Sequence, residues 1–298
     1  MEEPDQLRQR LAFAWSQIFV VSDIDYVLAN SKYGMANFYD TLARFADGNF
    51  RTLLEQVTLH PVMGIYLSMV RNEKANPALN IRPDENYARE ILQLFTIGLH
   101  ELNADGSVRR DGAGRPIATF DQATIEEFAK VFTGWNYDGV RSWTDTNVGT
   151  ESRVLPMVPN EDFHDTSTKQ LLGGQTLPAG QGAYADLTGA LDNIFAHPNV
   201  GPFVSRLLIQ RLVTSNPSSG YVGRVAAVFN DNGAGTRGDL RATVRALLLD
   251  DEARNGSQNL PETFGKIKEP SMRLTNLWRA LDAQPGPEAS GIYRVQFD

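Results

Sequence analysis

Apolar residues recur along this chain at spacings of three and four, the period of a helix with one buried stripe. Leu7, Leu11, Ala14, Trp15 and Ile18 form one such stripe. Met35, Phe38, Tyr39, Leu42 and Phe45 form a second, which Gly48 ends. In "NFRTLLEQVTLHP" Asn49 is an N-cap and Pro61 interrupts the helix, after which "PVMGIYLSMV" predicts a short buried helix. "DQATIEEFAKVFTGW" has Asp121 as a cap and Ile125, Phe128, Ala129 and Phe132 on one face. Further helices are predicted over 184–196, 199–214, 218–230, 237–252 and 263–282, punctuated by Pro217, Gly233, Gly235, Gly256 and Pro261.

Two stretches break the pattern. "ELNADGSVRRDGAGRPIATF" holds Asp-Gly twice and Gly-Arg-Pro, which predicts a small β-hairpin near 101–119. Residues 136–182 are rich in Gly, Pro, Asp, Asn, Ser and Thr and show little periodicity; a connection of that length is functional or mobile. The expectation is an all-α, multi-helix globular array over 1–298, with a subdivision into 1–135 and 183–298 about the irregular segment 136–182 as the alternative.

"RPDENYAREILQLFTIG", Arg82 to Gly98, carries the most information per residue. Asp84 reads as a cap, and Glu85 and Arg89, four apart, as a surface ion pair worth a few tenths of a kcal/mol. Tyr87, Ile91, Leu94, Phe95 and Gly98 fall within an arc of about 100° and should be buried. Glu90 flanks that stripe with Asn86 and Gln93 on the same side. Such a row either lines a polar pocket or satisfies buried loop groups.

Composition removes several function classes. With 298 residues, roughly three quarters of the unfolded surface can be buried, so no staples are needed. The net charge of -8 and the lack of any basic run disfavour a nucleic-acid binder. The absence of Cys excludes disulfides, thiolate nucleophiles and Cys-ligated zinc. No stretch approaches the roughly 18 apolar residues of a membrane span. The acidic start, broken by Arg8, Arg10, Ser16 and Gln17, is not a signal peptide.

Seven segments stand in one order: "DQLRQRLAFAWSQIFVVS", "TLHPVMGIYLSM", "RPDENYAREILQLFTIGL", "FAKVFTGW", "FHDTSTKQLLG", "HPNVGPFVSRLLIQRLVTSNP" and "FNDNGAGTRGDLRATVRALLLDDEAR". Together they resemble, over essentially the whole chain, the bacterial family catalogued as domain of unknown function 1800. The resemblance implies an exported protein, periplasmic or extracellular, often encoded beside a sulfatase-like family of secreted proteins. It also implies a longer protein, with an N-terminal part bearing an export signal and sequence beyond "GIYRVQFD". It brings no activity and no site residues with it.

The residues themselves offer chemistry. Among the histidines, His60 and His197 precede Pro and suit caps or turn hydrogen bonds, and His100 lies beyond a helix on the surface. His164, in "EDFHDTSTKQLLGG" with Glu161, Asp162, Asp165 and Lys169, is the best general acid/base; the alternative is a solvated polar loop. Glu90 would be its carboxylate partner, with Lys169 or Arg206 stabilising charge. His60, Glu90 and His164 could converge on a divalent metal ion, although no HExxH or helical His pair signals one. "NADGS" and "DNGAG" read as turns rather than calcium loops. Arg206 and Arg211 could clamp an anion or form salt bridges. Trp135, Tyr137 and Trp143 in "GWNYDGVRSW" are what stacking on a sugar requires, with Trp135 assigned to the core. Asn86, Gln93, Tyr137, Trp143 and Arg206 are then the substrate-binding set. Two functions follow as expectations: a secreted hydrolase-type enzyme, metal-assisted or not, acting on a carbohydrate or ester; or a non-catalytic carbohydrate-binding or scaffold protein of the bacterial envelope.

Overall fold

A computed structural model describes residues 5–24, 26–260 and 262–282. Helices dominate it, as the periodicity requires. The N-terminal group is α1 (Gln6–Ser16), α2 (Tyr26–Ala29), α3 (Lys32–Phe45), α4 (Phe50–Thr58) and α5 (Pro61–Tyr66). Then come α6 (Asn86–Glu90), continued by a π-helical turn over Ile91–Thr96, and α7 (Gln122–Val131). The C-terminal group is α8 (Ala183–Ala196), α9 (Val200–Leu212), α10 (Ser219–Asn230), α11 (Leu240–Leu249), α12 (Asp251–Asn259) and α13 (Pro270–Ala280). One cluster of buried apolar side chains runs from Leu11 to Leu247 and draws on both groups. At its centre the rings of Trp15, Phe19, Phe50, Phe95 and Phe229 stand 5.2 to 6.5 Å apart, tying α1, α4, the π turn and α10 together.

Most boundaries follow caps that the sequence spells out. Asn49 accepts from Arg51 N–H and Asp121 from Thr124 N–H. The stretch 237–252, expected as one helix, divides at Asp250, whose extended backbone ends α11 and whose carboxylate caps Glu252 N–H. The helix expected from 263 starts instead at Pro270, the first position at which Pro is an asset rather than an obstacle. Leu7 faces solvent, outside the stripe assigned to it. "GIYRVQFD" lies outside the described residues.

The hairpin near 101–119 forms as two successive tight turns: Asn103 N–H bonds Ser107 O, Asp111 N–H bonds Arg115 O, and Glu101 N–H bonds Ile117 O. In the turn "NADGS", Asp105 accepts from Ser107 N–H; in "DNGAG", Asp231 accepts from Gly233 and Gly235. The irregular segment 136–182 is ordered by two short antiparallel pairs that periodicity could not reveal. They are β1 (Trp135–Asn136) with β2 (Val158–Pro159), and β3 (Lys169–Gln170) with β4 (Thr176–Leu177). Among the described residues no helix is long and apolar enough to cross a membrane.

His60 is the N-cap of α5. Its Nδ1 accepts from Val62 N–H at 3.2 Å, so the ring proton sits on Nε2 and is donated to Asn37 Oδ1 at 3.0 Å. Burial holds the imidazole down at about 4, against 6.5 for a free one. With the folded value depressed, the unfolded chain takes up the proton first as pH falls. This contribution is intact above pH 6.5 and disappears progressively toward pH 4, a difference of roughly 3 kcal/mol. Urea midpoints measured from pH 7 to pH 4 should therefore fall more steeply for the natural chain than for His60→Asn, which keeps a capping oxygen without the titration.

Candidate functional site

The assigned acid/base residue lies in a place the sequence does not disclose. After α7, Thr133 and Gly134 turn the chain into β1, and a single 3-10 turn over Glu161–Phe163 delivers His164 against them. Gly134 has φ +83°, and a Cβ there would lie 2.9 Å from the His164 backbone, so only Gly permits this approach. His164 Nδ1 faces Thr133 O at 2.9 Å, and Nε2 faces Asp186 Oδ2 at 3.1 Å. Lys169 Nζ reaches the same Asp186 oxygen at 2.6 Å, and Gln181 Nε2 holds the other at 2.8 Å. Lys169 also donates to Asp165 O and Ser167 O.

His164, Lys169 and Asp186 are all 0% exposed. Burial alone would raise the Asp186 carboxyl, but the bonds from His164 and Lys169 outweigh it and hold it below the usual carboxylate range. Both imidazole nitrogens lie against protein oxygens in a fully buried setting, so neither is open to a metal ion or a substrate. The cluster is a closed ionic strut between the irregular segment and the first turn of α8. Asp186 is the member the sequence hid, because an acid in a helix's first turn already has a local explanation.

The other assigned residues are dispersed. No bond joins His164 to Glu90 or to His60, which is engaged with Asn37 and Val62. Among the described residues no group of three His, Asp or Glu is placed to hold a metal ion. Glu90 is half-buried; burial pushes its carboxyl up while Arg89 pulls it down, and its Oε2 has no partner among the described residues. Asn86 and Gln93 are likewise half-buried beside it. Glu85 and Arg89 form the expected ion pair at 2.8 Å. Leu94, expected in the core, is 50% exposed, because the π turn replaces the helical period. The other four residues of the expected stripe, Tyr87, Ile91, Phe95 and Gly98, are buried, and Leu92, Thr96 and Ile97 are buried beside them.

Arg206 donates to Gly106 O at 2.7 Å and pins the first hairpin turn to α9. Arg211 lends its carbonyl to Arg10 and Lys266. Trp143 is 6% exposed, stacked on Phe163 at 4.2 Å with its N–H on Glu73. Trp135 is core, as expected, and Tyr137 is 7% exposed beneath the Arg71 guanidinium.

What does open to solvent is a cleft of about 530 Å³ above β1 and β2, bordered by Tyr137, Asp138, Arg141, Ser142, Asn160 and Asp162. Arg71 organises it. This residue holds φ +60°, an unfavourable value for a non-Gly side chain. Its N–H bonds Trp135 O at 2.7 Å, its Nε bonds Asn136 Oδ1 at 3.1 Å, and its Nη2 bonds Asp145 O. No sequence pattern singled out Arg71; the strained backbone is what reveals it.

A family model described as a protein of unknown function, DUF1800, matches residues 1–296. The chain belongs to this family. No curated protein and no solved structure matches it. Membership in DUF1800 agrees with the resemblance carried by the seven segments, and the role of the site rests on its geometry.

That geometry has a direct consequence for this DUF1800 chain. Asp186→Ala leaves Lys169 and His164 buried without their shared anion and should cost about 3–5 kcal/mol in urea unfolding. Adding Lys169→Met to that variant should recover part of the loss, since it removes the uncompensated charge.

Proposed function

We propose that this protein is a non-catalytic carbohydrate-binding protein of the bacterial envelope, with the β1–β2 cleft as its binding surface. One observation carries the proposal. The side chains best suited to acid/base work, His164 and Lys169, are sealed and fully committed, while the polar groups that reach solvent together line the cleft.

A sugar hydroxyl donates and accepts at once, so its site needs both kinds of group side by side. Arg141 and Ser142 supply donors, and Asp138 and Asp162 supply acceptors. Val158, Pro159 and Tyr137 provide an apolar floor for the C–H faces of a pyranose. The Trp143 ring serves from beneath, packed on Phe163, rather than by stacking on the ligand. Of the acids at the cleft, Glu161 is tied through both oxygens to Ala183 N–H, at the start of α8. The envelope setting follows from the resemblance to exported bacterial proteins.

Titration calorimetry against a panel of neutral and acidic oligosaccharides tests the proposal. At least one should bind, and Arg141→Ala and Asp138→Asn should each weaken it by about tenfold with little change in melting temperature. Chromatography of the same mixtures should show no cleavage. Binding by none of the panel, or release of shorter sugars, would refute it.

A further inference from the structure

A second pocket, of about 290 Å³, lies between α3, α4 and the middle of the irregular segment. Asn37, Thr41 and Arg44 line it from one face of α3, at spacings of four and three. Gln56 and His60 add to this wall, and Val154, Leu155 and Pro156 close the other side. The volume corresponds to roughly ten water molecules, enough for a small organic molecule.

The groups whose roles are fixed are donors, while the Thr41 hydroxyl and the Gln56 amide can each donate or accept. His60 Nδ1 is occupied by Val62 N–H, so Nε2 must donate, and it donates to Asn37 Oδ1. That fixes the orientation of the Asn37 amide and leaves its NH₂ group to the pocket. Among the described residues the Asn37 NH₂, Thr41 hydroxyl, Arg44 guanidinium and Gln56 amide make no hydrogen bond or ion pair. No Asp or Glu lines the pocket. Glu55, next to Gln56, is drawn away by Arg51 at 2.7 Å. The β1–β2 cleft, by contrast, is bordered by Asp138, Glu161 and Asp162.

We infer that this pocket binds a small organic carboxylate. A guanidinium with planar amide donors beside it matches the two oxygens of a carboxylate, which a neutral amide isostere cannot replace. The Val154–Leu155–Pro156 wall accepts a short apolar tail. His60 acts as the positioning residue: by holding Asn37 Oδ1 it turns the amide donors toward the ligand. The site is separate from the proposed sugar cleft and stands or falls independently of it.

Thermal-shift and saturation-transfer NMR measurements with propionate, butyrate and benzoate, each paired with its primary amide, provide the test. The carboxylates should raise the melting temperature with increasing concentration and the amides should not. Arg44→Gln, on an exposed position, and Asn37→Asp, which keeps the acceptor for His60 but replaces the donors with charge, should each weaken the response by about tenfold or more. Equal responses to acid and amide would overturn the assignment. So would a signal that survives Arg44→Gln, a stronger response to inorganic phosphate than to any carboxylate, or no response at all.

Discussion

Asp186 accepting from both His164 and Lys169 is the interaction on which the irregular segment of this protein depends. Residues 135–182 contain no long helix and only four two-residue strands, so little backbone repetition holds them in place. Their attachment is ionic instead. Lys169 enters at β3, His164 just after the 3-10 turn, and both meet one carboxylate in the first turn of α8. A buried ion pair is weak evidence for net stability, because desolvation offsets much of the attraction. Its value here is in register: displacing the segment from Asp186 would leave the buried Lys169 ammonium without its anion.

The same strut explains why a cleft can exist on a loop. Polar groups at a binding surface must be held by something other than their ligand. Gly134 lets His164 press against the start of β1, and Arg71 fastens the other side of β1 through Trp135 O, Asn136 and Asp145. Backbone strain at Arg71 is sustained because three bonds and the ring of Tyr137 over-determine it. The cleft residues from Asp138 to Ser142 hang from a frame fixed at both ends.

How much of this could be read from the residues varies with the range of the interaction. Asn49, Asp121 and the Glu85–Arg89 pair were legible because caps and ion pairs are local rules. Position in the chain also sufficed for the His60 and His197 turn bonds, since imidazole before Pro has few other partners. Of the stripe Tyr87, Ile91, Leu94, Phe95 and Gly98, Leu94 alone turns to solvent, within the π turn where the helical period lapses. Trp143 and His164 were recognised as unusual, but whether a ring or an imidazole faces solvent depends on partners 20 to 70 residues away. Asp186 left no signal of its own, and Arg71 none that composition or spacing could carry.

These failures share one physical root, and it bears on how the two pockets differ. Sequence reasoning weighs residue types, so it ranks His, Lys and Trp as chemical and Asn, Thr and Gln as bland. Folding reverses the ranking by deciding which polar atoms are satisfied. His164, Lys169 and Trp143 have their polar atoms fully engaged inside the protein. Among the described residues the Asn37 NH₂ and the Arg44 guanidinium have no hydrogen-bond or ion-pair partner. A group that keeps its hydrogen-bonding capacity at a concave surface is the one available to a ligand. By that measure, the bonds His60 makes to Val62 and Asn37 are worth more as evidence than its ring chemistry, because they determine which face of Asn37 the pocket receives.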